Sequence, residues 1–556
     1  MRMTSLLAVA GLLGGMTAPT MAQTGPCESF VANLGGIVGT SYIGGVTVSS
    51  PSVYFAGTTY ANVPPFCKVS ATLTPTSDSA INVELWMPTV SWNGKFQGVG
   101  NGGYAGTYAQ GATAMVAGLQ AGFAIATTDM GTAPSSNGNA DALIGHPQKW
   151  IDFGWRATQL MTVFAKDLVQ RFYSRAPEYS YWNGCSTGGQ QGLMLAQRSP
   201  ELYDGIMAGA AAGNRTHVHT SVLWNYRASH RSPLGLFFST DQTKAMVKSQ
   251  LAACTAKSGG QPGDPFLTDP RACDWDPAVM QCTGLPDGIC LTAEQVVTAR
   301  AKYQGPRNPR TGKQIYPGQM RGGEADSQFG WAAMDTNTDM PPFGSLFKWV
   351  NGPLFNYQYF NFDTDMAGVD SILASNLNAN SVDLSLFRAR GGKLITYHGW
   401  SDALASPQES INYYERVVAA ERKGNKSLSN VQKDFRLFMV PGMYHCGYGP
   451  GPNAMGQPYT GNVVAQPPLK PDAGHDLFRA LQAWVEGGVP PTRVVATKYR
   501  NDDVSQGVVM TRPICAYPNV PRYSGSGDKS LAASFSCAPS TGVTDPAQIT
   551  APEYTQ

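Results

Sequence analysis

Three side chains far apart in the chain, Ser186, Asp402 and His445, have the types and settings that acyl transfer needs. Ser186 lies in Gly184-Cys185-Ser186-Thr187-Gly188, a G-x-S-x-G pattern whose small residues let a strand turn sharply into a helix and hold a hydroxyl out in a strained position. Gln190 to Gln197 can continue as that helix, so its first free N–H groups face the serine and favour a developing negative charge. Alone, the pattern is weak, because long glycine-rich chains contain it by chance. Asp402 and His445 each follow a β-prone run and complete the order serine, acid, histidine. In that arrangement the serine attacks a carbonyl, the histidine takes its proton and later gives it to the leaving group, and the aspartate fixes the imidazole tautomer. A lone Asp in a loop is more often a turn former, and a lone His after a strand is more often structural, so the weight rests on their co-occurrence. His398 is a rival base, yet it precedes Asp402 and leaves the chain order unfilled. His217 and His219 form an H-x-H pair without a carboxylate or cysteine partner, too little to predict a metal.

Two cysteines bear on the same site. Cys185 immediately precedes Ser186, and Cys446 immediately follows His445. Neighbouring Cα atoms lie about 3.8 Å apart and disulfide-linked ones about 4.4–6.8 Å apart, so a Cys185–Cys446 bridge would bring Ser186 and His445 within hydrogen-bond reach.

These residues need a scaffold that presents strand ends on one side. Residues 28–90 alternate short β-branched runs with Pro, Ser and Asn turns, which predicts an antiparallel sheet edge ending in the period-two run Ile81 to Pro88. From about 90 to 212, strand-like and helical runs alternate: Lys95 to Val99, Gly122 to Asp129, the helical spacing of Leu160, Met161, Phe164, Leu168 and Phe172, and Tyr203 to Gly209. That alternation predicts βα units and a largely parallel sheet. Gly100-Asn101-Gly102-Gly103 follows the first of these strands, so the amides of Gly102 or Gly103 are candidates for an oxyanion hole with that of Thr187. The alternation is lost from about Asn214 to Asp383, where cysteines, prolines and aromatics crowd together as if inserted. It resumes at Gly392 to His398, Gln408 to Ala420, Phe435 to Val440 and His475 to Val485.

Composition narrows the classes. A net charge of +2 with 14 % charged residues provides no basic field for nucleic acid or a membrane surface. Residues 1–22 have the layout of a secretory signal, with Arg2, the apolar run Leu6 to Leu13 and a small residue, Ala22, at the cleavage point. No later run is long enough to span a bilayer, which predicts an exported chain without membrane insertion, secreted or periplasmic. In an oxidising compartment ten cysteines without a C-x-x-C pair predict disulfides, five at most, rather than metal ligands.

The segments Gly184 to Gly192, His398 to Pro407 (H-G-W-S-D-A-L-A-S-P), Pro441 to Cys446 (P-G-M-Y-H-C) and Arg512 to Pro518 closely resemble the tannase and feruloyl esterase family, which also contains mono(hydroxyethyl) terephthalate hydrolases. The resemblance covers nearly the whole mature chain. It implies an α/β-hydrolase core with a large inserted lid: residues 23–213 and 386–556 as the core, the latter with a disulfide-pinned C-terminal tail, and 214–385 as the lid. It also implies a Ser186, Asp402, His445 triad, the Cys185–Cys446 bridge beside it, and the pairings Cys27–Cys67, Cys254–Cys273, Cys282–Cys290 and Cys515–Cys537. The expected function is a serine esterase acting on a small aromatic ester, with feruloyl-type hydroxycinnamates first and gallate esters or phthalate-type monoesters as alternatives. No organic cofactor is expected. Rival readings are a serine peptidase using the same triad and a non-catalytic binding protein on a hydrolase scaffold. Family members often bind calcium in the lid through C-D-x-x-D-G-x-x-D-G; here Lys257 and Gly260 occupy the two earlier carboxylate places before Asp264, which predicts loss of that site and no metal. Nine aromatics of the insert, Phe329, Trp331, Phe343, Phe347, Trp349, Phe355, Tyr357, Tyr359 and Phe360, are candidates to line the substrate site, most of them as lid core.

Overall fold

Short apolar runs buried on both faces make the centre of the molecule a sheet. The structure is a computed structural model and describes residues 26–37, 39–231, 237–284, 287–335, 339–423, 427–458 and 466–556; the expected signal segment 1–22 lies outside them. Nine strands form the main sheet: β1 (Thr40–Val48), β2 (Phe66–Leu73), β3 (Ile81–Pro88), β4 (Lys95–Val99), β5 (Ala124–Thr128), β6 (Tyr179–Cys185), β7 (Gly205–Gly209), β8 (Lys393–Gly399) and β9 (Phe435–Val440). Their spatial order is β1-β2-β3-β5-β4-β6-β7-β8-β9. The first three and the β3/β5 pair are antiparallel, and β5 through β9 run parallel. β2 alternates buried and half-buried positions, whereas β5, β6 and β7 are almost wholly buried, as a sheet covered on both faces requires. This is the expected α/β-hydrolase core.

The side-chain period of two sorts the strands' residues into two cores. Trp182, Ile206, Leu394 and Leu437 enter one, while their neighbours Tyr181, Met207, Ile395 and Phe438 enter the other. Helices close both faces: α1 (Ala112–Gln120) on one, α2 (Ala157–Tyr173) and α3 (Thr187–Arg198) on the opposite one.

Between β7 and its parallel neighbour β8 the chain makes a long excursion, and its described residues contain helices and turns but no strand. It begins with α4 (Arg215–Ser229) and includes α5 (Thr240–Cys254) and α6 (Ala293–Gln304), each of the latter two started by a reciprocal capping box, Ser239 with Gln242 and Thr292 with Gln295. A small core of its own gathers Phe238, Met246, Trp275, Val296, Tyr303 and Trp331. After β8, α7 (Pro407–Lys423) joins the first core. α8 (Leu477–Gly487), capped by Asp476, joins the second. The C-terminal stretch forms two antiparallel hairpins, Arg493–Tyr499 with Val508–Cys515 and Asn519–Tyr523 with Phe535–Pro539, tied by Cys515–Cys537. The other bridges are Cys27–Cys67, Cys185–Cys446, Cys254–Cys273 and Cys282–Cys290, and among the described residues no cysteine is free. No helix among the described residues is long and apolar enough to cross a membrane.

Candidate active site

Every parallel strand that carries a candidate residue delivers it at its carboxyl end. β6 ends at Cys185 and α3 begins at Thr187, so Ser186 alone makes the turn, at φ 62° and ψ −120°. That region of backbone space is sparsely populated and costs about 1–3 kcal/mol, which the surrounding packing must offset. Glycine makes the packing possible: a Cβ on Gly184 would stand 2.5 Å from the Gly188 carbonyl oxygen, and one on Gly100 would stand 2.4 Å from the Gly188 Cα. The strand, the helix start and the glycine-rich loop therefore touch backbone to backbone.

β8 leads into Asp402 and β9 into His445, and the two loops are joined by main-chain bonds from Trp400 N to Val440 O (2.9 Å) and from Ser401 N to Met443 O (3.0 Å). Ser186 Oγ lies 2.9 Å from His445 Nε2, and His445 Nδ1 lies 2.6 Å from Asp402 Oδ2. The other Asp402 oxygen accepts from the amides of Leu404 (2.8 Å) and Ala405 (3.0 Å). His398, the rival base, donates its Nε2 proton to the same Asp402 oxygen at 2.9 Å, and its Nδ1 meets Ser410 Oγ at 2.7 Å. The structure thus places it behind the acid rather than beside the serine. Burial works against the Asp402 charge, but the two imidazoles and their hydrogen bonds outweigh it and hold the carboxyl well below the usual range. Cys185 and Cys446 are linked, with Cα atoms 6.0 Å apart.

The serine and histidine open on a cavity of about 270 Å³. One half of its wall comes from strand-end loops: Gly102, Gly103, Ser186, Thr187, Leu404, Ala405, His445 and Cys446. Most of the rest comes from one face of α4, where Arg215, Val218, His219 and Val222 recur at helical spacing, and from Gln328, Phe329 and Phe343 of the excursion, with Gln110, Asn137 and Ala212 completing the lining. Among the described residues, the amides of Gly102, Gly103 and Thr187 donate to no protein acceptor. The glycine loop is held by Asn101, whose amide donates to Gln191 Oε1 (2.9 Å), whose side chain donates to Thr128 O (2.7 Å) and whose carbonyl accepts from Gly188 N (2.7 Å).

Arg215 is buried and, among the described residues, faces no carboxylate. Its Nη1 donates to Thr187 Oγ1 (2.9 Å) and Gln190 Oε1 (3.2 Å), its Nη2 donates to Gly103 O (2.8 Å), and the Phe153 ring lies 4.9 Å from its guanidinium. Burial pushes it down to about 10, so it remains a cation at neutral pH, next to the loops that carry the free amides. Asp326, in the excursion, is a second buried acid near the site: its Oδ1 accepts from Gln328 N (2.8 Å), its Oδ2 has no partner among the described residues, and burial pushes it up to about 6, helped by the Asp402 charge.

Of the nine aromatics named from the sequence, Phe329 and Phe343 reach the cavity, and the Phe329 ring meets the His445 ring edge to face at 5.3 Å. Trp331, Phe347, Trp349, Tyr357 and Phe360 are core, Phe355 packs against it, and Tyr359 is exposed. His217 does not pair with His219: its Nε2 meets the Asp370 carboxylate at 2.9 Å, whereas His219 turns Nδ1 to Phe343 O at 2.9 Å. The residues at the family's calcium positions do not fit that ion. Lys257 pairs with Asp274 (2.6 Å) and the Asp264 carboxylate with Arg512 (2.7 Å), so the single acid left there already faces a cation. Sequence reasoning missed Asn101, Arg215 and the supporting place of His398. The α4 face was readable from its i, i+3, i+4, i+7 spacing, and His398 from its position four residues before Asp402.

Residues 67–538 match the profile of the family described as tannase and feruloyl esterase. An uncharacterised esterase of Xanthomonas campestris is 39 % identical over 87 % of this chain and 86 % of that protein. A mono(2-hydroxyethyl) terephthalate hydrolase of Piscinibacter sakaiensis is 31 % identical over 86 % of this chain and 85 % of that protein. The crystal structure of feruloyl esterase B from Aspergillus oryzae superposes with a TM-score of 0.80 at 26 % identity, covering 92 % of this chain and 99 % of that one. The chain belongs to the tannase and feruloyl esterase family, and it is a carboxylic ester hydrolase.

Proposed function

We propose that the protein is a serine esterase that releases aromatic acids from their esters, with hydroxycinnamic acids such as ferulic acid as the preferred class and gallate or phthalate-type monoesters as the alternatives. The observation that carries the reading is the unbroken chain from Ser186 Oγ through His445 to Asp402, opening on a cavity that also presents three unpartnered amides. In the first step His445 Nε2 takes the Ser186 proton as Oγ attacks the ester carbon, and Asp402 steadies the imidazolium through Nδ1. The carbonyl oxygen becomes an anion that the Thr187 amide and that of Gly102 or Gly103 receive as preset donors. His445 then protonates the leaving alcohol, and the same groups repeat the sequence with water to free the acid from Ser186. No organic cofactor and no metal enters these steps. His398 serves to fix Asp402, and Arg215 braces the Gly103 carbonyl and the Thr187 side chain.

The cavity's size, below the ~300–1,000 Å³ of sites for drug-sized ligands, suits a single small ring better than a polymer chain. Five disulfides suit a protein that works outside the cytoplasm, in the periplasm or beyond it. The stretch at 214–385 acts in this reading as a lid, since it supplies one half of the cavity wall. Two experiments test the proposal. A fluorophosphonate should label Ser186, and an unlabelled, folded protein would leave only a binding role. A panel of methyl ferulate, methyl caffeate, propyl gallate and mono(2-hydroxyethyl) terephthalate ranks the substrates, and faster turnover of a matched amide than of its ester would point to a peptidase instead.

A further inference from the structure

His219 stands on the cavity face of α4, with Val218 and Val222 on the same face, the Phe343 ring edge to face with its own at 6.2 Å, and Phe329 also in the wall. Its hydrogen bonds fix which nitrogen carries the proton. Nδ1 lies 2.9 Å from Phe343 O and 3.2 Å from the Tyr104 hydroxyl. A carbonyl can only accept, and the Tyr104 hydroxyl spends its one proton on the same carbonyl at 2.7 Å while accepting from Leu346 N at 3.0 Å. A bare Nδ1 would put two lone pairs against each other at contact distance, so Nδ1 holds the proton. Phe343 itself is held at φ 57°, a left-handed conformation unusual for a bulky residue, and two donors, Tyr104 and His219, meet on its carbonyl.

With the proton on Nδ1, Nε2 is a lone-pair acceptor, and among the described residues no protein donor reaches it. We propose that His219 selects esters whose aromatic ring bears a free phenolic hydroxyl, by accepting that hydroxyl's hydrogen bond on Nε2. The proposal rests on the esterase reading above and narrows its substrate class. Burial and the nearby Arg215 charge hold the imidazole well below the usual histidine range, so the ring stays neutral and does not become a donor at neutral pH. A phenol complements such an acceptor. A methyl ether has no proton to give, and a ring carboxylate, an acceptor only, meets a lone pair. Arg215 does not reverse this preference: Nη1 is committed to Thr187 and Gln190, Nη2 holds Gly103, and Nε is enclosed without a partner, so no two-pronged grip on a carboxylate remains.

The test compares methyl ferulate with methyl 3,4-dimethoxycinnamate, the same ester with its phenol capped. A site built to bond a hydroxyl rejects the analogue that lacks it, so wild-type kcat/KM should favour ferulate by about tenfold or more. In His219→Phe that ratio should fall to within about threefold of unity, and His219→Gln, whose amide oxygen can accept in the same direction, should keep part of it. A wild type that hydrolyses both esters equally, or a His219→Phe variant that keeps the wild-type ratio, overturns the proposal while leaving the esterase reading intact. A wild type that turns over 4-nitrophenyl acetate but neither cinnamate overturns the aromatic-acid reading and the proposal together. The wild-type ratio decides even if the phenylalanine variant does not fold.

Discussion

The cavity's two halves are held by different means. The strand-end half is fixed locally: each of its residues sits within a few positions of a buried strand, glycines let the backbones touch, and the Cys185–Cys446 bond joins the two loops that carry Ser186 and His445. The half formed by α4, Gln328, Phe329 and Phe343 is held at the cavity by packing and hydrogen bonds rather than by a disulfide, with Tyr104 and His219 gripping the Phe343 carbonyl from 239 and 124 residues away. Its internal ties, Cys254–Cys273 and Cys282–Cys290, span only 19 and 8 positions and include none of the residues that line the cavity. The first half has a geometry that tolerates little change. The second can be rebuilt side chain by side chain while the excursion keeps its own small core.

Substitutions should divide along the same line. The largest effect belongs to the strand-end half: Ser186→Ala should lower kcat by about 10⁴-fold or more with KM little changed, and residual activity above a few per cent would remove Ser186 from the proposed role. Next comes the Cys185→Ala, Cys446→Ala pair, assayed well below its lowered melting temperature. If the bond positions the loops, kcat should fall roughly tenfold or more at nearly constant KM, and a kcat within about twofold of the parent would make the bond a staple of the fold alone. In the other half, Phe329→Ala or Phe343→Ala should raise KM by roughly three- to tenfold on an aromatic ester, the loss of about one ring contact. If neither changes KM in a folded variant, the excursion contributes no stacking surface.

Asp326 sharpens the comparison through pH. Its folded pKa of about 6 lies above the ordinary 3.8, so the folded state binds more protons than the unfolded one between those values. Stability therefore falls as pH rises through that window, and above it the buried carboxylate costs on the order of 3 kcal/mol. Asp326→Asn should accordingly stabilise the protein against urea at pH 8 and much less at pH 4; an equal shift at both pH values would contradict the buried-charge account. The smallest effect expected is that of a chelator. With Lys257 and Gly260 at two calcium positions and Asp264 paired to Arg512, EDTA should move the melting temperature by roughly a degree at most, and a drop of several degrees would reveal a structural ion.

The same division governs what could be read from the sequence. β6, Ser186 and α3 were legible because a strand, one strained residue and a helix are contiguous, and Asp402 and His445 because each follows its strand directly. The parallel core followed from the alternation of strand-like and helical runs between about 90 and 212, and the antiparallel edge from the β-branched runs and turns before it. Ile81 to Pro88, which the sequence presents as a period-two run, is instead buried at every position but Asn82, because it lies inside the sheet between β2 and β5. The excursion lacks such periodicity. Nine aromatics looked alike there, and only tertiary packing sends Phe329 and Phe343 to the cavity and Trp331 and Trp349 to the interior. Arg215 left no motif because its partners, Gly103 and Thr187, are gathered from two other strand ends. His398 was weighed as a proton acceptor because its position says nothing of direction; in the fold, its Nε2 faces the Asp402 carboxylate.

The Cys185–Cys446 bond also changes what a broken chain means. With its ends 261 positions apart in the chain it makes everything from the elbow to the histidine a covalent ring, and the whole excursion lies on that ring. One peptide bond cut within the excursion opens the ring without dividing the molecule, because the two pieces stay joined beside Ser186 and His445. Lengthening the excursion is almost as harmless, since the entropy of closing a loop grows only with the logarithm of its size. The stretch that supplies the α4 side of the cavity is therefore also one where nicks and insertions leave Ser186 and His445 tethered to each other.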